Sequence, residues 1–415
     1  MKKIVFFVLL ILVGSVVEAS TIPTNLPEYK VIIPSRTDKV RSISDSAKFY
    51  LVTCEPAKEI YERFGHSGIR VYDPETKIDE VFHWGLFSFD TPNFVGRFIS
   101  GNTDYEMGVY STKFFLPQYV ERGSSVYAQE LNLTTEQKHA LWAKLWDNYR
   151  PENRKYRYNF IYDNCATRPY QMILDAYKGD VVSSVDLGEI TYRDIINKYV
   201  APNTLYNLGI SLIVGSEADK NITTEECVSF PLYTQFVLDH TKIISTNENV
   251  VVNTEILHQA EFKPLHINTM AYNTFTIIAT ILILICIVFY MLKKRYMPVL
   301  TQLILIVSGL VGIIIAYLWF CSHHPLVSNN YNILWCNPLN LIFGILLFTR
   351  RTFMPKAKMI IAIALHLISI LFLLVIIFDL QNINASVPML WLMTAYALST
   401  VAFTYKNQLK NSSRK

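Results

Sequence analysis

The residues best suited to covalent chemistry in this chain are one cysteine and two histidines. Cys165 follows a run from Tyr156 to Tyr162 in which aromatic and polar residues alternate, and this period of two predicts a strand. Apolar residues then recur at helical spacing over 166–177, so we expect Cys165 to open a helix with Asn164 as its N-cap. The N–H groups and partial positive charge of a helix N-terminus favour a thiolate and can hold an oxyanion. The structural alternative is a small cysteine buried at a strand–helix junction.

The two histidines lie in what we predict to be a β-hairpin. His66 stands on a glycine-flanked strand, a four-residue turn follows at 73–76, and His83 lies on the returning strand. With this turn, Tyr72 pairs with Lys77, and His66 lies directly opposite His83 with Cβ atoms roughly 5 Å apart. The prediction depends on the register, because a slip of one residue would move one histidine to the other face. The structural alternative is a pair of polar residues on half-exposed strands.

A thiol nucleophile needs a base within hydrogen-bond reach and a third group that orients the base. We therefore predict Cys165 as the nucleophile, His66 as the base and His83 as the orienting group. Cys54 is the rival nucleophile, but it follows a strand and opens no clear helix. The residues lack the local ligand spacing of a metal site, and the sequence contains no glycine-rich phosphate loop. We accordingly predict neither a metal nor a cofactor.

The ends of the chain and its charge limit the class of protein. The formal net charge of +4 is small for 415 residues, so we predict no nucleic-acid partner. Residues 1–19 have the basic start, apolar core and small-x-small end of a signal peptide, with an uncleaved anchor as the alternative. Residues 20–47 are polar and predict a linker. Residues 48–265 combine mixed charges with many aromatic residues, which predicts an exported domain.

Beyond residue 270 the chain is strongly apolar and predicts a membrane domain, 270–406, with five spans. Each span is near the length of about 20 residues needed to cross hydrocarbon, although the third is short. The predicted spans are about 273–292, 299–320, 334–349, 358–379 and 388–405. Basic residues cluster after the first, third and fifth spans, whereas the loops 321–333 and 380–387 contain no Lys or Arg. The positive-inside rule therefore places the tail, 407–415, in the cytoplasm and the exported domain in the periplasm.

Polar residues at several places are candidates for substrate binding. Arg70 and Arg168 could hold a phosphate or a carboxylate, although surface charge is the commoner role of an arginine. The loop between the second and third spans is unusually polar for the membrane face and predicts a floor or gate, with an ordinary loop as the alternative. The candidate substrate-binding residues are Asn164, Arg168, Arg70, His323, His324, Asn330 and Asn332.

Several motifs resemble those of known families. Gly65-His66-Ser67-Gly68 on a strand and Asn164-Cys165 at a helix start are similar to the permuted papain-like families of NlpC type, which include lecithin retinol acyltransferase. A wider set resembles the Lnb family of Bacteroidota, whose members are lipoprotein N-acyltransferases with an exported domain and a membrane part. These motifs are Leu51-Val52-Thr53-Cys54, Arg63-Phe64-Gly65-His66, Asp90-Thr91-Pro92-Asn93-Phe94, Arg150-Pro151-Glu152-Asn153-Arg154 and Tyr162-Asp163-Asn164-Cys165-Ala166-Thr167-Arg168. The resemblance extends over most of 48–240, and the membrane half agrees in layout.

The resemblance implies a fold, a reaction and a location. The fold would be an α+β exported domain of permuted papain-like type, followed by an all-α membrane domain of about five helices. An acyl chain would pass from a membrane phospholipid to Cys165 as a thioester, and then to the α-amine of a diacylated lipoprotein. His66 would act as the base, and the protein would lie in the bacterial inner membrane. We expect many family members to have Asn where this chain has His83, so the resemblance supports His83 less than Cys165.

Two other functions stay open at this point. A membrane-anchored cysteine peptidase or amidase acting on cell-wall peptide would use the same three residues, and a membrane scaffold with a degenerate domain would use none of them. Five spans favour the acyltransferase, because both of its substrates stay in the bilayer and anchoring raises their effective concentration. The presence of both His66 and Cys165 argues against a scaffold.

Overall fold

The computed structural model describes residues 41–57, 62–88, 91–200, 205–261, 269–349 and 353–413. The described chain forms two compact units. The N-terminal unit comprises residues up to 192 together with 221–261, and the C-terminal unit comprises 193–220 together with the residues from 269 onwards. The predicted signal peptide and positions 20–40 of the predicted linker lie outside the described residues.

The N-terminal unit is built on an antiparallel sheet, in which seven strands are described, in the order β6-β4-β3-β2-β1-β5-β9. Its strands are β1 (Lys48–Cys54), β2 (His66–Asp73), β3 (Ile78–Leu86), β4 (Asp104–Ser111), β5 (Val126–Leu131), β6 (Lys155–Arg157) and β9 (Val251–His258). A separate pair is formed by β7 (Val181–Ser183) and β8 (Thr241–Ile243).

Helices cover both faces of this sheet. In chain order the helices before residue 240 are α1 (Phe94–Ile99), α2 (Thr112–Arg122), α3 (Thr135–Tyr149), α4 (Thr167–Ala176), α5 (Tyr192–Tyr199), α6 (Leu205–Ile213), α7 (Thr224–Cys227) and α8 (Pro231–Asp239). On one face, the Phe82 ring of β3 lies 5.6 and 5.4 Å from the Trp142 and Trp146 rings of α3. On the other face, Phe115 and Tyr119 of α2 pack in a core cluster with β1 and β5. The unit is therefore of the mixed α+β kind that the sequence predicted.

Two sequence predictions for this unit need correction. The strand predicted from Tyr156 to Tyr162 ends at Arg157, because the Asn159 side chain accepts the N–H groups of Ile161 and Tyr162 and turns the chain. The described part of the predicted linker, 41–47, belongs to the folded unit. Ile43 and Ala47 are buried, the Trp142 indole donates to the Arg41 carbonyl at 2.7 Å, and Ser44 N–H donates to Asp73.

The C-terminal unit consists mainly of long apolar helices. They are α9 (Thr269–Lys293), α10 (Pro298–Cys321), α11 (Leu339–Leu346), α12 (Pro355–Ile370), α13 (Phe372–Ile377) and α14 (Val387–Ser412). Among the described residues, four helical stretches are long and apolar enough to cross a membrane: Thr276–Lys293, Pro298–Cys321, Pro355–Ile377 and Val387–Ser412. They coincide with the first, second, fourth and fifth predicted spans.

The third predicted span, 334–349, has a different structure from the other four. Its helical part is α11, which has eight residues and lies antiparallel to the first half of α10. The backbones are in direct contact, since a Cβ on Gly309 would lie 2.1 Å from the Leu341 nitrogen and one on Gly312 would lie 1.8 Å from the Cys336 carbonyl oxygen. Only glycine permits this approach. Residues 322–338 are non-helical apart from two short 3-10 turns, and they reach the middle of α10.

Residues 193–220, which we assigned to the exported domain from sequence, belong to the C-terminal unit. Leu208 and Leu212 of α6 pack in a buried cluster with Val311 and Ile315 of α10. Arg193, at the start of this segment, is bonded to residues near its end. Its guanidinium pairs with Asp219 at 2.5 and 3.1 Å and donates to the carbonyls of Val214 and Gly215 at 3.2 and 2.7 Å. The compact units therefore divide the chain differently from the domain boundary taken from composition.

Candidate active site

The two histidines meet, but in a register that differs from the predicted one. Gly68 is paired with His83, so the β2–β3 register is shifted by two residues and His66 is diagonal to His83. The shift arises because Asp73 ends the strand and accepts the N–H of Glu75, which moves the turn to 74–77. A shift of two keeps both side chains on one face. His66 Nε2 lies 3.0 Å from His83 Nδ1, so the predicted contact is confirmed.

Cys165 is held at the start of α4 by a cap that Asn164 provides. The Asn164 side-chain oxygen accepts the N–H groups of Ala166 and Thr167 at 2.8 and 3.0 Å, and its carbonyl accepts the N–H of Arg168. The assigned helix begins at Thr167, yet these bonds make Asn164 the N-cap and Cys165 the first residue of the turn. The Asn164 amide also donates to the carbonyls of Phe160 and Ser229. Asn164 is therefore fully used in positioning, which corrects its assignment as a substrate-binding residue.

Gly85 places the cysteine beside the base, and the sequence analysis missed it. The β2–β3 register, continued by two residues, brings His66 level with Gly85. A Cβ on Gly85 would lie 3.6 Å from Cys165 Cβ and 3.7 Å from His66 Cε1, so the missing side chain of this glycine leaves space next to both residues. Its φ of 108° is also one that other residues rarely adopt. An isolated glycine inside a predicted strand was the signal that could have revealed it.

The sulfur lies against backbone donors but in a buried setting. The N–H groups of Ser67 and Cys165 itself donate to the Cys165 sulfur and lower its pKa, yet burial outweighs them and raises the pKa to about 11. The expectation that the helix start would yield a resting thiolate is therefore not met. With this pKa, Cys165 is a neutral thiol at neutral pH.

The imidazoles are neutral as well. Burial, together with the positive charge of Arg122, lowers the pKa of His66 to about 3, and burial lowers the pKa of His83. When His66 carries its proton on Nε2, it donates to His83 Nδ1, and its Nδ1 is then the nitrogen available to the thiol. His83 then carries its proton on Nε2, an atom that has no hydrogen-bond partner among the described residues.

Aromatic rings enclose the histidine pair. Tyr119 stacks on His66 with centroids 6.0 Å apart and planes 17° apart, and Phe115 meets the His83 ring edge-on at 5.3 Å. Tyr110 lies 5.0 Å from the His83 ring on the other side. These contacts keep water from the imidazoles and fix their planes, while Cys165 and His66 each retain partial exposure.

The rival nucleophile and the two arginines have other roles. Cys54 is paired directly opposite His66 but is fully buried, so no substrate reaches it in this conformation. Arg70 is held by both oxygens of Asp79 at 2.7 and 3.1 Å. Arg168 is held by both oxygens of Asp163, and it also covers the Tyr156 ring. Both guanidiniums are engaged in ion pairs, which argues against their predicted role as substrate clamps.

The polar loop 322–338 lies in the C-terminal unit and has a structural role at two of its four candidate positions. Asn330 and Asn332 are buried, and both side-chain amides donate to the Leu212 carbonyl, at 2.8 and 3.4 Å. Their side-chain oxygens accept from Asn332 N–H and from the Trp335 indole. These two asparagines hold α6 and are not available for a substrate, which corrects that prediction. His323 is exposed and His324 half-buried, and they stay candidates.

The fold and site define a membrane protein whose N-terminal α+β unit brings one cysteine and two histidines together on a sheet face. Residues 36–198 match the family model of the Lnb N-terminal periplasmic domain, and residues 262–408 match that of the Lnb transmembrane domain. Together the two matches cover most of the chain, and the protein belongs to the Lnb family. No curated protein and no solved structure matches it.

Membership establishes the broad role that the resemblance suggested. The protein is an enzyme of lipoprotein biogenesis with a periplasmic N-terminal domain and a membrane-spanning C-terminal region, which indicates the inner membrane. The segment 199–261, which includes α6, lies between the two matched ranges.

Proposed function

We propose that the protein is a lipoprotein N-acyltransferase of permuted papain-like type, which carries a fatty acyl chain as a thioester on Cys165. The observation that supports this most is that Cys165 and His66 both approach Gly85, with His83 in hydrogen-bond contact with Nε2 of His66. The three residues are remote in sequence, and a nucleophile, a base and an orienting group are what covalent acyl transfer needs.

In the first half-reaction, the Cys165 sulfur attacks an ester carbonyl of a phospholipid. The thiol proton passes to His66 Nδ1, the S–C bond forms, and the ester C–O bond breaks. The leaving alkoxide takes the proton from His66 and departs as the hydroxyl of a lysophospholipid. The backbone N–H groups of Ser67 on β2 and of Cys165 donate to the sulfur and stabilise negative charge that develops there.

In the second half-reaction, the α-amine of a diacylated lipoprotein attacks the thioester carbonyl. The N–C bond forms and the C–S bond breaks, and a proton from the amine passes through His66 to the sulfur, which restores the thiol. His83 holds the His66 ring and accepts from its Nε2–H in both steps. A water-poor, aromatic setting suits this chemistry, because hydrolysis of the thioester would waste the acyl chain.

The membrane topology supports the same function. Basic residues lie at 293–295, between the end of α9 and the start of α10. They also lie at 356 and 358, at the start of α12, and at 406 and 410, near the end of α14. The positive-inside rule then puts these ends and the C-terminus in the cytoplasm, and the N-terminal unit in the periplasm. Both substrates are held in the same bilayer, which removes much of the entropic cost of bringing them together.

The test is to trap the intermediate and to follow the product. Full-length protein is incubated in vesicles with phospholipid and then digested, and mass spectrometry should find a hydroxylamine-sensitive acyl group on Cys165. In a strain that relies on this protein for N-acylation, Cys165→Ser should remove the N-terminal acyl chain of lipoproteins, whereas Cys54→Ser should retain it. Unchanged lipoprotein acylation with Cys165→Ser, at normal protein level, would refute the proposal. Cleavage of cell-wall peptide without any thioester would indicate a peptidase or amidase in its place.

A further inference from the structure

Five aromatic rings form a row in the N-terminal unit, which we call the aromatic row. The ring planes are nearly parallel from each ring to the next, with angles of 13° to 22°. The centroid distances are 4.2 Å for Tyr158–Tyr105, 5.0 Å for Tyr105–Phe87, 5.3 Å for Phe87–Phe94 and 6.2 Å for Phe94–Phe98. The row thus passes from Tyr158, just after β6, through Tyr105 of β4 and Phe87 to Phe94 and Phe98 of α1.

One end of the aromatic row lies beside the nucleophile. Gly85 is in contact distance of Cys165 Cβ, and Phe87 follows Gly85 by two residues. After the larger effect of burial, the charge of a Cys165 thiolate also raises the pKa of Tyr105 and of Tyr158, so both hydroxyls are within electrostatic range of the sulfur. The first rings of the row therefore belong to the surroundings of the reacting atom.

The other end of the aromatic row is open to the outside. Phe98 and its neighbour Val95 on α1 are 41% and 46% exposed. The polar side of the same helix is tied down, because Arg97 donates to the Asn102 carbonyl at 3.1 Å and to Asp104 at 2.9 Å. α1 therefore presents these apolar side chains outwards from a fixed position, where they can contact an apolar ligand.

We propose that the aromatic row binds the acyl chain of the donor lipid, from Cys165 to the outer edge at Phe98. The inference rests on the proposed function and adds the residues that select the chain. The occupant is the donor chain because its carbonyl carbon becomes bonded to the Cys165 sulfur, so that the chain must leave along a surface that begins at Cys165. The acyl chains of the acceptor lipoprotein are bonded to no atom of the site and have no such constraint.

The aromatic row would then discriminate between donors by the length of their acyl chains. A short acyl group fills only the positions near Tyr105, whereas a long one extends to Phe94 and Phe98. Losing apolar contact with the last carbons reduces discrimination between long and short chains by about tenfold or more, since one methylene in an apolar pocket is worth about that much. The effect should appear in the preference between donors and not only in the overall rate.

The experiment compares two soluble acyl donors with full-length protein in detergent. p-Nitrophenyl palmitate and p-nitrophenyl butyrate are supplied in turn, and intact-protein mass spectrometry follows acylation of Cys165. For Phe98→Ala and for Phe94→Ala, the ratio of the palmitoyl rate to the butyryl rate should fall about tenfold. The control is Ile256→Ala, which removes a 60% exposed apolar side chain from β9 and should leave the ratio unchanged.

Three results would overturn the inference, and they can be told apart. If both phenylalanine variants keep the parent ratio, the aromatic row does not bind the chain. A fall of both rates by the same factor would mean only that α1 contacts the lipid surface, and it would refute the inference as well. If neither donor acylates Cys165 in the parent protein, the proposed function fails, and the inference fails with it. A lower ratio in the Ile256 control as well would show a general effect of surface apolarity and would also refute a specific role of the row.

Discussion

Replacing Gly85 with alanine should stop the reaction while the protein remains folded. The added methyl group would lie 3.6 Å from Cys165 Cβ and 3.7 Å from His66 Cε1, which are ordinary contact distances, so the side chains need not be displaced far. The methyl group would nevertheless occupy the space through which the thiol proton and the carbonyl carbon must approach. A substrate carbonyl that the methyl group holds about 1 Å from its productive position reacts about 10²-fold more slowly. We therefore expect Gly85→Ala to reduce thioester formation on Cys165 by at least about 10²-fold.

The substitution also has a backbone cost that must be separated from this effect. The φ of Gly85 is 108°, and forcing an alanine into such a conformation costs about 1–3 kcal/mol of stability. Gly179 provides the matched control, because its φ is 85° and a Cβ there would meet no atom within 4 Å. Gly179→Ala should therefore lower the midpoint of thermal unfolding to a similar extent but leave the rate of thioester formation unchanged.

The assay is thioester formation from phospholipid by full-length protein, followed by mass spectrometry, with thermal unfolding measured on the same samples. Equal rates of thioester formation for the two alanine variants, after allowance for the folded fraction, would show that the reaction does not need the space at Gly85. A reaction that is lost in both variants would point to stability alone. Either result would refute the geometry on which the proposed mechanism depends.

Three further predictions test the charges and the contacts of the two units. Because burial raises the pKa of Cys165 to about 11, the rate of its alkylation by iodoacetamide should rise about tenfold per pH unit from pH 7 to 9. The rate is measured as the difference between the parent protein and Cys165→Ser. A rate that is already constant at pH 5 would instead reveal a thiolate–imidazolium pair. His83→Asn, whose amide oxygen can still accept from His66, should keep acyl transfer within about tenfold, whereas His83→Leu should lose about 10²-fold, and equal rates for the two would contradict the orienting role. Arg193→Ala should destabilise detergent-solubilised protein by about 3–5 kcal/mol, because it leaves Asp219 without its buried partner. Lys220→Ala removes an exposed ion pair and should cost at most about 1 kcal/mol. Similar unfolding midpoints for the two variants would contradict a structural role of the Arg193–Asp219 pair.

Much of the site could be predicted because its chemistry is local. The alternation of residue types in β2 and β3 placed His66 and His83 on one face, and a register error of two residues did not change that face. The residue types around Cys165 were sufficient to predict a capped helix start, since an Asn side chain satisfies N–H groups within three residues of itself. The family motifs extended the same inference, and both halves of the chain match the family.

The parts that failed depend on contacts and burial that the residue types along the chain do not show. From the sequence, Arg70 and Arg168 were candidates to bind an anionic substrate group. In the structure they form ion pairs with Asp79 and Asp163. The pKa of Cys165 was expected to fall at a helix start, but burial by the surrounding structure raises it. Asn330 read as a polar group at the membrane face, and only the folded unit shows that it holds the Leu212 carbonyl.

The sequence by itself determined which residues could do chemistry, which face of each strand they share and where the long apolar helices lie, because these follow from residue type and from periods of 2.0 and 3.6. The tertiary structure alone decided that Cys165 and His66 both lie in contact distance of Gly85, that burial keeps the thiol and the imidazole neutral, and that residues 193–220 pack with the apolar helices. The physical reason is that close approach, burial and the pairing of charges are properties of atoms brought together by the fold, and no local pattern along the chain records them.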